Sequence, residues 1–333
     1  MVFAFAGAVI AGFLLTAVGN WTGRRTLDGW PLALLVLVWL AGRVLPFVPG
    51  AGLAAAAVDV SFWLGLLVAC AVPIVAAKNR RNYGFLVVLG GFMLAVAVSH
   101  ANRLGYLERA AWSVRVLGVD LVTLLLVVMT GRVVPMFTRN ATHASDIVES
   151  PRLNRVAALA AALVIALDLA AAPASLSALP AAAAGALVLA RAVQWGAQHT
   201  LRQPLLWVLH LGHAWVGVGL LLRGLLSLVP VLPASLALHA VTTGGLGLLA
   251  FGMMVRVTLG HTGRMLTVPR SITLAMLALV VCAALRVLGP LVAPFQLPLV
   301  LAVVGALWSA AFLTYVVVYS RALATPRVDG RSG

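Results

Sequence analysis

The chain has 333 residues, of which 63% are hydrophobic and only 9% charged, and its formal net charge is +15. A soluble domain carries about 25% charged residues, and here apolar runs long enough to cross a bilayer as helices recur along the whole length, so no soluble domain is expected. The basic residues are dispersed in short connections between those runs, where the positive-inside rule places them, and they read as topology signals rather than as a nucleic-acid surface.

Taken in chain order, eleven spans are predicted, at about 2–20, 30–48, 54–77, 84–100, 112–136, 153–172, 181–199, 204–222, 233–256, 271–292 and 296–320. The first lacks a basic n-region and a small-residue cleavage site, so it is not a cleaved signal peptide. The fold class is all-α, a polytopic transmembrane helical bundle. Residues 1–322 form a single transmembrane domain, and 323–333 form a short polar cytoplasmic tail.

The connections sort into two kinds. One is basic, with Arg24 and Arg25; Lys78, Arg80 and Arg81; Arg139, Arg152 and Arg155; Arg202; Arg264 and Arg270; and the tail with Arg321, Arg327 and Arg331. The other is poor in charge, at 49–53, 173–180 and 293–295, with Arg103, Glu108 and Arg109 in 101–111 and Arg223 as exceptions. Their alternation puts the C-terminus in the cytoplasm. With eleven spans the N-terminus falls outside, which predicts one further helix upstream of Met1.

Three span ends look alike. Asn20-Trp21-Thr22-Gly23-Arg24 follows the first span, Met136-Phe137-Thr138-Arg139-Asn140 the fifth and Gly260-His261-Thr262-Gly263-Arg264 the ninth, all on the basic side. A helix C-terminus leaves carbonyls unpaired, and a left-handed glycine with a following basic side chain suits such an end. The same groups also suit a polar mouth that grips an anion, such as a cofactor carboxylate.

Ionisable groups inside spans are costly and point to function. His210 and His213, three apart, share one face of the eighth span; His239 lies in the ninth, and His100 closes the fourth. Imidazole ligates transition metals and haem iron, so His210, His239 and His100 are candidate ligands. A buried histidine bonded to a carbonyl or hydroxyl is the alternative for each. His143 and His199 fall in cytoplasmic connections. Arg132 and Arg256 stand near the basic ends of spans five and nine, where they snorkel to the interface or neutralise acidic groups of a cofactor. Asp59 and Asp168 lie near span ends and reach water; Asp120 is expected to pair with Arg115 or with a neighbouring helix. Arg43, Arg191 and Arg286 have weaker claims. Cys70 and Cys282 form no CxxC or zinc pattern. There is no CxxCH either, so any haem is held non-covalently.

Five blocks, "AGFLLTAVGNWTGR" (11–24), "GWPLALLVLVWLAGR" (29–43), "GRVVPMFTRN" (131–140), "PLLWVLHLGHAW" (204–215) and "HAVTTGGLGLLAFGMMVRVTLGHTGR" (239–264), closely resemble NnrS proteins. The resemblance implies a twelve-helix bacterial inner-membrane protein containing haem and copper, with nitric oxide or a related small molecule as its partner in nitric oxide tolerance and denitrification. It also implies cofactor-binding roles for His100, His210, His239 and His261 and for Arg132, Asn140, Arg256 and Arg264. Two departures stand out. Members usually have an "HxHEM"-like segment ahead of the run that begins here, and His213 stands where tyrosine is common.

The reading favoured by the residues and the resemblance together is a haem-binding, or haem-copper, membrane protein of the nitric oxide response. A secondary transporter of a small ion or metabolite is the first alternative. A cofactor-free remnant or assembly partner is the second.

Overall fold

The computed structural model of the chain describes residues 2–107, 114–229 and 233–330, apart from the side chains of Val2 and Arg115. Its helices are α1 (Val2–Thr22), α2 (Gly29–Val44), α3 (Gly52–Ala76), α4 (Tyr83–Arg103), α5 (Val114–Thr142), α6 (Pro151–Leu169), α7 (Ala174–Val193), α8 (Pro204–Leu226), α9 (Ser235–His239), α10 (Gly247–His261), α11 (Arg270–Val292) and α12 (Leu297–Ala324). A π-helical segment, Ala240–Leu246, joins α9 to α10 without a break, so these two make one span. No strand occurs among the described residues. Ten of the spans are long and apolar enough to cross a membrane. The exception is α6, which carries Arg152, Arg155 and Asp168 within its 19 residues. The chain is a multi-pass helical membrane protein.

Helix contacts divide the chain into two compact units, Met1–Leu125 and Leu126–Gly333. In the first, α3 packs on α2, α4 and α1. Its core is aromatic. Trp63 stacks on Phe92 with ring centroids 4.7 Å apart, and Trp21 on Phe85 at 5.0 Å. Aromatic rings bury large areas at little polar cost, since phenylalanine adds no polar group and each indole a single N–H. The amide of Asn79 donates to the carbonyl of Trp21 at 3.0 Å and ties the α3–α4 connection to the end of α1.

In the second unit the tightest seam is α7 against α8. Small residues make it. A Cβ on Gly185 would stand 2.6 Å from the backbone nitrogen of Leu221 and 2.7 Å from the carbonyl oxygen of Gly217. Lipid tails are as apolar as leucine, so such helices associate through close backbone packing rather than through the hydrophobic effect. The core continues through Val188, Val208, Phe251, Val255 and Met276.

Several predicted ends shift. The seventh span begins at Ala174, because Pro180 is accommodated within the helix, and it stops at Val193; Gly196 then adopts φ +67° before a short 3₁₀ turn. The fifth span does not end at Met136-Phe137-Thr138-Arg139-Asn140 but runs on to Thr142. The hydroxyls of Thr138 and Thr142 donate to the carbonyls four residues back, at 2.9 and 2.8 Å, and Arg139 pairs with Glu149 at 3.0 Å. Bonds of this kind let a helix carry polar residues through its last turns.

The true counterpart of the two Thr-Gly-Arg ends is therefore Thr142-His143-Ala144. Thr22, Thr142 and Thr262 stand at evenly spaced positions, and each hydroxyl bonds four residues back. Each is followed by a left-handed residue, Gly23 (φ +64°), His143 (φ +55°) or Gly263 (φ +73°). The capping half of the sequence reading describes all three ends. A histidine in this conformation carries a Cβ penalty that glycine does not. His143→Gly is accordingly expected to raise stability by about 1 kcal/mol, measured by reversible unfolding in mixed micelles.

Beyond α12, the backbone nitrogen of Val328 donates to the carbonyl of Thr262 at 3.1 Å, and Arg327 donates to the carbonyl of His261 at 3.0 Å. Arg327 also pairs with Asp329, which holds its guanidinium pKa above the usual value. The tail thus closes the turn at the end of α10. Arg331 lies outside the described residues.

Candidate functional site

In the second unit, two threonines on α5 receive two histidines from α8. They stand two turns apart, Thr130 and Thr138, and so lie on one face. The first pair is Thr130 with His213, at 2.8 Å through Nδ1. The other imidazole nitrogen of His213, Nε2, lies 2.9 Å from the carbonyl of Val188. A carbonyl only accepts, so Nε2 carries the proton and donates, and Nδ1 faces the Thr130 hydroxyl, which also lies 2.6 Å from the carbonyl of Leu126. Both nitrogens of the fully buried His213 are committed. It is a polar packing residue.

Beside it lies Arg191, 1% exposed. Its Nη2 donates to the carbonyl of Val127 at 2.5 Å and to the Thr130 hydroxyl at 3.3 Å, and its Nη1 donates to Oδ1 of Asn154 at 3.2 Å. The guanidinium lies over Trp195 at 5.2 Å, and that indole also packs on the His213 ring at 4.5 Å. Asn154 donates in turn to the carbonyl of Gly131 at 3.3 Å. This network ties α5, α6, α7 and α8 together with neutral acceptors alone, and its geometry is structural.

The second pair differs. The hydroxyl of Thr138 donates to the carbonyl of Val134 at 2.9 Å. Its oxygen lies 2.9 Å from Nε2 of His210, so with its one proton used, the Thr138 oxygen accepts from Nε2–H. In that arrangement Nδ1 of His210 holds the lone pair. That nitrogen is buried and has no hydrogen-bond partner. A neutral imidazole with one nitrogen anchored and the other free is the form that ligates a metal, with the anchor orienting the ring.

The residue before Thr138 extends the site. Arg256 lies over the ring of Phe137 at 3.9 Å, a cation–π contact that leaves its N–H groups available. Arg264, just past the end of α10, has Nη1 buried without a hydrogen-bond partner among the described residues. His210, Thr138, Phe137 and Arg256 therefore form one contiguous group near the ends that carry the basic connections. Arg132 stands two turns before Asn140 on α5 and is half-buried; Asn140 and His261 are exposed.

His239 does not join this group. A Cβ on Gly252 would meet Val208 and Leu209, whereas one on Gly219 would meet Val241 and the carbonyl of Ala237. His210 is thus level with Gly252 and His239 with Gly219, roughly 14 Å further along α8 at 1.5 Å per residue. The two imidazoles therefore stand at different levels of the bundle. The Nε2 lone pair of His239 is also occupied, because Arg286 donates to it at 2.5 Å.

His100 belongs to the first unit. Its Nε2 is 2.9 Å from Oδ2 of Asp59, and the other carboxylate oxygen receives Arg43. Asp59 does not simply reach water but holds two partners. Asp168 likewise pairs with Arg223. Asp120 is buried, while the side chain of its predicted partner Arg115 lies outside the described residues, as do Glu108 and Arg109. Cys70 and Cys282 are buried and free. Among the described residues no three of His, Cys, Asp or Glu gather as a metal shell, so the copper expectation finds no ligand set there.

Nε2 of His199, in the exposed turn after α7, lies 2.9 Å from Asp146 on the connection after α5. This bond holds the carboxyl below the usual carboxylate range. A depressed folded-state pKa means that the pair's contribution is present above the ordinary carboxylate pKa and is lost as pH falls through the folded value. His199→Ala should return the Asp146 pKa upward toward that of a free aspartate, a shift read by NMR titration of the carboxyl carbon.

The sequence missed Thr138, Thr130, Asn154, Arg191 and Arg286 as partners. Arg191 and Arg286 carried the signal of an intramembrane cation. The threonines carried none, because a threonine that bonds its own helix reads the same as one that receives a histidine.

The family model described as NnrS protein matches residues 1–327. No curated protein and no solved structure matches the chain. A match over nearly the whole length, on a multi-pass helical protein, establishes that the chain belongs to the NnrS family.

Proposed function

We propose that the chain is an inner-membrane protein of the nitric oxide response that binds haem non-covalently, with His210 as the protein ligand. The observation that carries this reading is the buried Nδ1 of His210, without a hydrogen-bond partner among the described residues, opposite an Nε2 that lies 2.9 Å from the Thr138 hydroxyl. Arg256, one turn nearer the basic end than Gly252, and Arg264, with its unpartnered Nη1, would receive the anionic groups of the cofactor. Haem bound there supplies an iron centre that takes a diatomic ligand such as nitric oxide. The protein's own part is to hold the imidazole in one tautomer, to keep that nitrogen out of water, and to neutralise acidic substituents near the basic ends. The family membership supports the nitric oxide response as the setting.

The test is the absorption spectrum of the purified protein, oxidised, reduced, and reduced with nitric oxide. A Soret band that shifts with nitric oxide and is lost in His210→Ala, but kept in His239→Ala, is the expected result. Arg256→Ala should weaken haem retention by about tenfold, the value of one charge-assisted contact, while Arg43→Ala leaves it unchanged. A folded protein without a Soret band, or a band insensitive to His210, overturns the reading.

A further inference from the structure

We propose that Arg286 and His239 form a binding site for a small planar oxyanion, of the nitrate or carboxylate type, at the charge-poor end of the second unit. The proposal does not rest on the haem reading, which uses other residues. Arg286 stands six residues before the end of α11, and His239 is the fifth residue of α9. Both therefore lie roughly 6–9 Å inside the ends of their helices, and both are half-buried. Nη2 of Arg286 donates to Nε2 of His239 at 2.5 Å. That bond fixes the proton of His239 on Nδ1, so the pair presents an imidazole N–H beside a guanidinium.

Among the described residues no carboxylate pairs with Arg286 or His239. Among the described residues Asp59 holds Arg43, Asp146 holds His199, Glu149 holds Arg139, Asp168 holds Arg223 and Asp329 holds Arg327; none reaches Arg286. Among the described residues His239 is the one hydrogen-bond partner of Arg286, which leaves its other N–H groups to a ligand. A cation inside a span whose nearest polar partner is an uncharged ring is costly, and such residues mark ligand sites. An anion recovers that cost. The rigid guanidinium fork matches two oxygens of a planar anion side by side. The π segment begins at the residue after His239, and π turns recur at functional sites.

The experiment uses the full chain purified in a sugar-headgroup detergent, which contributes no phosphate. Thermal unfolding is followed as chloride is replaced stepwise by nitrate, and separately by formate, at constant ionic strength. The expected result is a saturable rise in Tm for the unaltered protein. The rise should vanish in Arg286→Gln and need about tenfold more nitrate in Arg286→Lys, which keeps the charge but loses the fork. His239→Gln should shift the midpoint in the same direction. Should Arg286→Gln fail to fold, the lysine and His239 variants carry the comparison. Absence of a saturable rise in the unaltered protein overturns the proposal. So does an equal rise in Arg286→Lys and His239→Gln, which would make the effect a general one of salt and Arg286 a residue that only reaches for the headgroups.

Discussion

Asp59→Leu is expected to destabilise the first unit by about 2–4 kcal/mol, because it strands Arg43 and leaves His100 without its acceptor in a helical span. The carboxylate and the guanidinium are 15% and 28% exposed on their side chains, so the loss falls short of that for a pair wholly sealed from water. The cost lies in the orphaned charge more than in the lost bond. Removing both charges, as Arg43→Met with Asp59→Leu, should therefore be milder than Asp59→Leu alone. Unfolding of the four combinations in mixed micelles gives the coupling directly. Additive losses would mean that the two side chains meet without stabilising each other.

The second large effect belongs to the α7–α8 seam. Gly185→Leu should cost about 3 kcal/mol. Its Cβ would stand 2.6 Å from one backbone atom of α8 and 2.7 Å from another, and backbone cannot swing aside as the tip of a side chain can. Gly224 faces the same difficulty, since a Cβ there would lie 2.6 Å from the carbonyl of Ala178 and 2.8 Å from the nitrogen of Ala182. Gly305 is the control, because a Cβ on it meets nothing within 4 Å. Gly305→Ala should be neutral or raise stability by a few tenths of a kcal/mol, through helix propensity alone. An equal, small effect at all three positions would mean that the helices stand further apart than described. Separation at this seam would also move Val188, whose carbonyl anchors His213, so the polar network around Arg191 should report the same damage.

Helix order and fold class were legible because the bilayer imposes them, although α6, predicted as a span, falls short of the apolarity the other ten have. A chain in lipid must satisfy its backbone within each segment, so an apolar run of sufficient length is a helix with few alternatives. The ends were less legible. Pro180 and the polar run after Pro135 looked like stops, yet the helices pass through both. A threonine hydroxyl that bonds back to its own helix removes the penalty that the sequence appeared to carry. The evenly spaced caps at Thr22, Thr142 and Thr262 were half seen for the same reason. Glycine announces a left-handed turn, and His143 in that conformation does not.

The sequence by itself determined that this is a multi-pass helical protein, which family it resembles, and which intramembrane residues are too costly to be filler. These follow from local composition and from transfer energies that any lipid-embedded chain must meet. Only the tertiary structure separated the histidines by role. His213 spends both nitrogens on neighbours, His100 is engaged by Asp59, His239 accepts from Arg286, and His210 alone among these four keeps a buried nitrogen without a partner. Which lone pair remains free depends on the atom that faces it from another helix, and helix pairing is not written in the spacing of any one span.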